Sequence, residues 1–218
     1  MNREHKLTWN DVTLDQYKHL REAAAIEEET DRMVEIAKVV FGDNVEDLPL
    51  TEFKQKMAQL SFLQNEIKTS VPPKKLVLNG RKYFVDCLLG NITTAQYVDF
   101  TNHSKNGFEG KECEILSVFV IPEGHKYNDG YEIGEVINDI KSMPMPVVMS
   151  IAFFFGRQFS VFMETFQSYS IKEVKALKGI DKDKKKAMIQ IIRSSTDLAL
   201  YPLSSLSAAS QTTLSRKQ

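Results

Sequence analysis

One apolar segment constrains the fold of this 218-residue chain more than any other feature. Nearly every residue of 145–155 is apolar, and Gly156-Arg157-Gln158 follow directly. A membrane-spanning helix needs about twenty apolar residues, so this run alone is too short to predict a span. The apolar positions continue at helical spacing, which predicts one long helix with an apolar stripe. That stripe contains Val148, Ile151, Phe155, Phe159, Phe162 and Phe166.

The predicted helix is apolar on more than one side. Phe153, Phe154 and Val161 lie off the stripe. Two interpretations follow: the helix is the centre of a hydrophobic core, or it contacts another copy or a partner protein. For the second interpretation, the predicted partner-binding aromatic residues are Phe153, Phe154, Phe159, Phe162 and Phe166.

Two helix starts share one residue pattern. Thr13 and Thr93 are each followed three residues later by a glutamine, Gln16 or Gln96. In such a capping box the threonine hydroxyl accepts a hydrogen bond from a free backbone N–H, and the glutamine side chain binds the threonine amide in return. Residues 169–174 repeat the pattern of a cap before an apolar position and predict a third helix start.

A β-hairpin is predicted after a run of short amphipathic helices. Asn79-Gly80 separates two β-rich runs, and both residues tolerate the positive φ of a type I′ turn. A two-residue turn pairs Leu76 with Tyr83 across the strands. The predicted fold class is therefore mainly α (α+β): a multi-helix globular protein with one β-hairpin around residues 75–86. A helix is also predicted over residues 115–120, with a strand as the alternative because the run is β-branched.

These elements divide the chain into four predicted regions. Residues 1–70 form an N-terminal helical lobe, and residues 71–168 form a lobe that contains the hairpin and the helical core. Residues 169–203 form basic C-terminal helices, and residues 204–218 form a flexible tail rich in Ser, Ala, Thr and Gln.

Charge is balanced overall, with 28 Lys and Arg against 29 Asp and Glu, but it is unevenly placed. Residues 21–47 carry nine acidic and three basic residues, whereas residues 172–193 carry eight basic and three acidic residues. Either these are two solvated faces, or they are complementary faces that meet within one chain or between copies. In the second case Lys184, Lys185 and Lys186 are predicted partner-binding residues.

The sequence contains no motif that carries chemistry. The four histidines are scattered without metal-ligand spacing, and no phosphate-binding or nucleophile motif occurs. Cys87 and Cys113 are expected to be buried free thiols of a reducing cytoplasm, with a disulfide or a metal pair as the alternative. No cofactor, metal or catalytic residue is predicted, although a small enzyme with a site near His125 remains an alternative. Nucleic-acid binding is not expected, because Asp181 and Asp183 interrupt the basic segment.

Four segments carry cap and loop signatures that can be compared with known families. They are Leu7-Thr8-Trp9 with Val12-Thr13-Leu14 and Gln16-Tyr17, the Leu78-Asn79-Gly80-Arg81-Lys82-Tyr83 hairpin, Ile92-Thr93 with Gln96-Tyr97 and Asp99-Phe100, and Val120-Ile121-Pro122-Glu123-Gly124 with Lys126-Tyr127-Asn128-Asp129-Gly130-Tyr131. Together they resemble a family of proteins encoded in the structural modules of tailed bacteriophages, similar to tail assembly chaperones. The resemblance spans residues 7–166, and the basic segment after Ser170 lies outside it.

The resemblance implies a function without catalysis in bacteriophage morphogenesis. It implies a tail assembly chaperone that binds tail tube or tape-measure subunits in the host bacterial cytoplasm. The alternative is a virion structural subunit, such as a connector, a ring or another tail-associated protein. The implied partners are phage structural proteins of the tail or connector, with a homo-oligomer as a further option and no membrane.

Overall fold

The computed structural model describes residues 6–194, which are mainly α-helical with a small antiparallel sheet. The predicted fold class is therefore confirmed. The helices are α1 (Leu14–Ala24), α2 (Glu29–Phe41), α3 (Leu50–Gln59), α4 (Thr94–Ser104), α5 (Glu112–Ser117), α6 (Ile133–Ile140), α7 (Met145–Ala176) and α8 (residues 182–194). Short 3₁₀ helices cover Trp9–Asp11, Asp43–Asp47 and Leu60–Gln64.

The sheet contains three strands where the sequence predicted a hairpin of two. β1 (Lys75–Leu78) and β2 (Arg81–Val85) pair with the predicted register, and Leu76 lies opposite Tyr83. The turn between them has the positive φ angles expected for Asn-Gly. A third strand, β3 (Val120–Pro122), pairs with the far side of β2. The helix predicted over residues 115–120 therefore ends early, at Ser117.

Both predicted capping boxes are confirmed. The Gln16 and Gln96 amides donate to the Thr13 and Thr93 hydroxyls, each over 3.2 Å, and each glutamine side chain accepts from its threonine amide in return. Each glutamine also reaches outside its own helix. Gln16 Nε2 donates to the Val39 carbonyl over 3.2 Å, and Gln96 Nε2 donates to the buried Val118 carbonyl over 2.8 Å.

The hydrophobic core is centred on the first half of α7. Phe155 packs against Phe100 of α4 and against Phe119, with ring centroids 4.7 and 4.3 Å apart. Phe159 packs 5.5 Å from Phe100. The start of α7 is fixed by backbone bonds, because the Met145 amide donates to the Val12 carbonyl over 2.9 Å. The interpretation of this segment as a core helix is correct for its first half.

α7 is a single helix of 32 residues, about 48 Å long at 1.5 Å per residue. Pro146 is accommodated in its first turn, where the missing N–H has no helical partner in any case. The third helix start, predicted over residues 169–174, is wrong, because α7 runs through these residues without interruption. The boundary predicted between residues 168 and 169 also falls inside α7. The tail predicted at residues 204–218 lies outside the described residues.

Candidate interaction surface

The apolar stripe of α7 extends beyond the core that covers its first half. Residues three and four apart share one side of a helix, so Phe155, Phe159, Phe162 and Phe166 face the same way. Phe159 is only 2% exposed, whereas Phe162 and Phe166 are 46% and 51% exposed. The rings of Phe162 and Phe166 stack on each other, with centroids 6.3 Å apart. Tyr169 continues the stripe and is 63% exposed. We call Phe162, Phe166 and Tyr169 the aromatic extension.

The five predicted aromatic residues have different environments. Phe159 belongs to the core, and Phe154 is half-buried and packs against it. Phe153 is exposed on another side of α7, away from the stripe. Only Phe162 and Phe166 combine exposure with the direction that the core side chains take. Of the predicted set, these two are the residues best placed to bind a partner.

Two exposed residues outside α7 border the point where the core ends. Tyr97 of α4 is partly exposed and stacks on Phe159, with centroids 6.3 Å apart. Gln158, one helical turn before Phe162, donates to the Cys87 carbonyl over 3.0 Å and holds the loop that contains exposed Leu88. Tyr169, Tyr97 and Leu88 are not among the partner-binding residues predicted from the sequence. The helical spacing of Tyr169 from Phe166 was a usable signal for the first, but no sequence signal identified the other two.

The basic segment after α7 is helical, and its lysines are not equivalent. Asp181 caps α8 by accepting a hydrogen bond from the Asp183 amide over 3.0 Å. Lys184 and Lys186 are exposed. The ammonium group of Lys185 instead donates to the Lys175 carbonyl near the C-terminal end of α7, over 3.0 Å. Lys185 is therefore occupied in joining the two helices, whereas Lys184 and Lys186 point to solvent.

The loop around His125 is held by contacts within the chain. The hydroxyl of Tyr127 donates to Asp99 on α4 over 2.7 Å, and burial together with this bond raises the pKa of Tyr127. The ring of His125 packs edge-on against Tyr131, and its Nδ1 lies 3.0 Å from the Asp129 carbonyl. These contacts join the loop to α4 and to itself, as in an ordered helix connection.

The other ionisable groups of residues 6–194 include a buried carboxylate, Glu112, and two buried thiols. Within residues 6–194, no group of three or more His, Cys, Asp or Glu side chains is placed to hold a metal ion. Glu112 is buried, and its Oε1 lies 3.7 Å from a guanidinium nitrogen of Arg21. Burial raises the pKa of the Cys87 thiol to about 11 and also raises that of Cys113. Both thiols are therefore protonated at neutral pH, which makes them poor nucleophiles.

By length and composition alone, α7 is the one helix among residues 6–194 that could cross a membrane. Half of its most apolar window is buried inside the protein, and core helices of soluble proteins pass the same test. The helix is therefore weak evidence for a membrane.

A scan against protein-family models matched no family, and searches of curated proteins and of solved structures found no similar chain. What the fold and the surface define is a mainly α-helical protein with an exposed aromatic helix face.

Proposed function

We propose that this protein acts without catalysis in bacteriophage morphogenesis, as a tail assembly chaperone in the host cytoplasm. The aromatic extension would bind an apolar segment of a tail tube or tape-measure subunit and keep that subunit from aggregating before assembly. The resemblance of residues 7–166 to tail morphogenesis proteins supports the biological setting. The surface of α7 supports the mode of binding.

The observation that carries this proposal is the continuation of one apolar stripe from the core into solvent. A helix normally buries its apolar side, and isolated exposed side chains need no explanation. Here, however, three exposed aromatic side chains follow one another on the side that packs the core in the preceding turns. Aromatic residues presented in this way are enriched in protein interfaces, where they contribute much of the binding energy.

The arrangement fits a partner segment that presents a row of apolar side chains. A helix or extended strand with a row of apolar side chains could lie along the aromatic extension, as in helix-in-groove recognition. Tyr97 and Leu88 lie at the core end of this row and would border such a segment. Full burial of a Phe side chain contributes about 1.5–3 kcal/mol, and Phe162 and Phe166 are already about half buried. Covering the rest of both rings could therefore account for about ten- to hundredfold in affinity.

Co-expression tests the proposal directly. The tail tube and tape-measure proteins encoded with this protein would each be expressed alone, with the wild-type chain, and with the double variant Phe162→Ser/Phe166→Ser. We expect the wild-type chain to raise the soluble fraction of one of them and the double variant to lose most of that effect. Both rings are about half exposed, so the variant should melt close to the wild-type temperature.

Val77→Ser is the control, because Val77 is also an exposed apolar residue, 67% exposed, but lies on β1. It should leave the effect on the tail subunits unchanged. The proposal fails if neither tail protein becomes more soluble, or if the double variant and the control act alike. Mass spectrometry of purified virions separates the two roles: stoichiometric copies would favour a structural subunit over a chaperone.

A further inference from the structure

The chain carries two exposed surfaces of opposite charge. The acidic surface lies at the two ends of α2, and the basic surface lies around α8 and the end of α7. Both α2 and the described part of α8 are 13 residues long, about 20 Å each. The acidic surface consists of Glu27, Glu29, Asp31, Asp43 and Asp47, and the basic surface consists of Lys172, Lys178, Lys182, Lys184, Lys186 and Arg193.

Within residues 6–194, no ion pair neutralises the residues of either surface. Arg21, the first residue of the acidic stretch 21–47, pairs with Glu109 and also approaches Glu112. Lys38 is bound by Glu35 and Glu46, and these two hydrogen bonds raise its pKa. Among residues 6–194, no ion pair joins the acidic surface to the basic one.

We infer that the basic surface of one copy of this chain binds the acidic surface of a second copy. The two surfaces have opposite sign, and every copy presents both. A polyanion such as nucleic acid fits less well, because the acidic surface of the same chain would repel it. This inference does not rest on the proposed function, since it uses neither Phe162 nor Phe166.

A contact between two different surfaces is heterologous, so it leaves one free surface of each sign on the pair. Each added copy restores the same two free surfaces. Association therefore continues in one direction and ends either in a closed ring or in an open filament. The interaction is carried by exposed charges, which are screened over about 8 Å at physiological ionic strength, so it should weaken as salt rises.

Charge reversal on the basic surface is the first test. Lys184→Glu/Lys186→Glu places acidic residues near the N-terminal end of α8, where the helix dipole favours them, so the fold should be retained. Lys185 is left unchanged because it joins α8 to α7. Sedimentation velocity of the wild-type chain should show species heavier than 24.9 kDa at about 50 mM salt and monomer at about 500 mM. The reversed variant should sediment as monomer in both.

Charge exchange and two controls complete the test. Glu27→Lys/Asp47→Lys should also be monomeric alone, and an equimolar mixture with Lys184→Glu/Lys186→Glu should restore the heavier species. Lys68→Glu/Lys74→Glu reverses two exposed lysines elsewhere and should behave as the wild type. A wild-type monomer at low salt, or heavier species that persist in the reversed variant, would overturn the inference. Loss of association only in Phe162→Ser/Phe166→Ser would also overturn it and would assign the contact to the aromatic extension.

Discussion

The hydroxyl of Tyr83 on β2 donates a hydrogen bond to the buried carboxylate of Asp139 on α6, over 2.5 Å. The second carboxylate oxygen accepts from Asn79 Nδ2 over 2.9 Å, and Arg81 Nε lies 3.5 Å from the oxygen that Tyr83 binds. One acidic side chain on α6 thus binds the hairpin turn and strand β2. The hairpin, which would be marginal alone, is held to the helices through this carboxylate.

Removal of this carboxylate should therefore destabilise the protein more than removal of its exposed neighbour. Asp139→Ala leaves the buried hydroxyl of Tyr83 without its acceptor and should lower the free energy of unfolding by about 3 kcal/mol. Glu135→Ala removes an exposed partner of Arg81 and should cost about 1 kcal/mol or less. Urea denaturation of both variants measures the difference. Equal losses would mean that the buried contacts of Asp139 contribute no more than the surface pair.

The same group should make stability depend on acid pH. Burial alone would raise the pKa of Asp139, but the hydrogen bonds from Tyr83 and Asn79 and the charge of Arg81 together hold it below its ordinary value of 3.8. Because the folded state lowers this pKa, the stabilisation is present above pH 3.8 and is lost as the pH falls through the folded value. Stability should therefore fall more steeply below pH 3.8 in the wild type than in Asp139→Asn. Parallel curves from urea titrations at several pH values would contradict this assignment.

The two capping boxes allow an internal comparison. Thr13→Ala and Thr93→Ala should each cost about 1 kcal/mol, because each leaves a helix N-terminal amide without its acceptor. Gln96→Ala should cost about 2 kcal/mol and more than Gln16→Ala, because the Val118 carbonyl that it leaves unpaired is buried. Chemical denaturation of the four variants tests this order. If Gln16→Ala and Gln96→Ala destabilise the protein equally, the buried bond to Val118 contributes no more to stability than the bond from Gln16 to Val39.

Phe159 is buried in the core, and Phe162, one helical turn later, is about half exposed. Phe159→Ala removes a buried ring that contacts Phe100 and Phe155, and it should lower the free energy of unfolding by about 3–5 kcal/mol. Phe162→Ala removes a ring that is half exposed and should cost about 1 kcal/mol or less. Thermal and urea denaturation give both values. A large loss for Phe162→Ala would place that ring in a packed environment and remove it from the candidate surface.

Local chemistry made part of this fold predictable from the sequence. The capping boxes and the Asn79-Gly80 turn depend on residues within four positions of each other, so their spacing alone identifies them. β3 could not be found in the same way, because Val120 becomes a strand residue by pairing with Val85 from a distant part of the chain. The cap predicted near Ser170 fails because the preceding turns already form a helix that continues through it.

The sequence predicts which side of α7 is apolar, but not how much of that side is exposed. Helical periodicity shows which side chains of α7 share a side, and it selected Phe159, Phe162 and Phe166 together. It contains no information on where neighbouring elements stop covering that side, so it could not separate Phe159 from the other two. The three adjacent lysines could not be distinguished from the sequence either. Nothing in their spacing indicated that Lys185 donates a hydrogen bond to the Lys175 carbonyl.

The unbroken course of α7 also limits what this protein can do with its exposed rings. Phe155 and Phe166 are about 17 Å apart on one rigid rod, so the rings cannot swing back over the core unless turns of α7 unwind. Unwinding would sacrifice several backbone hydrogen bonds at once, which makes such retraction costly. The conformation of α7 therefore keeps the aromatic extension exposed at all times. How much of it is bound then depends on the concentration of its partner.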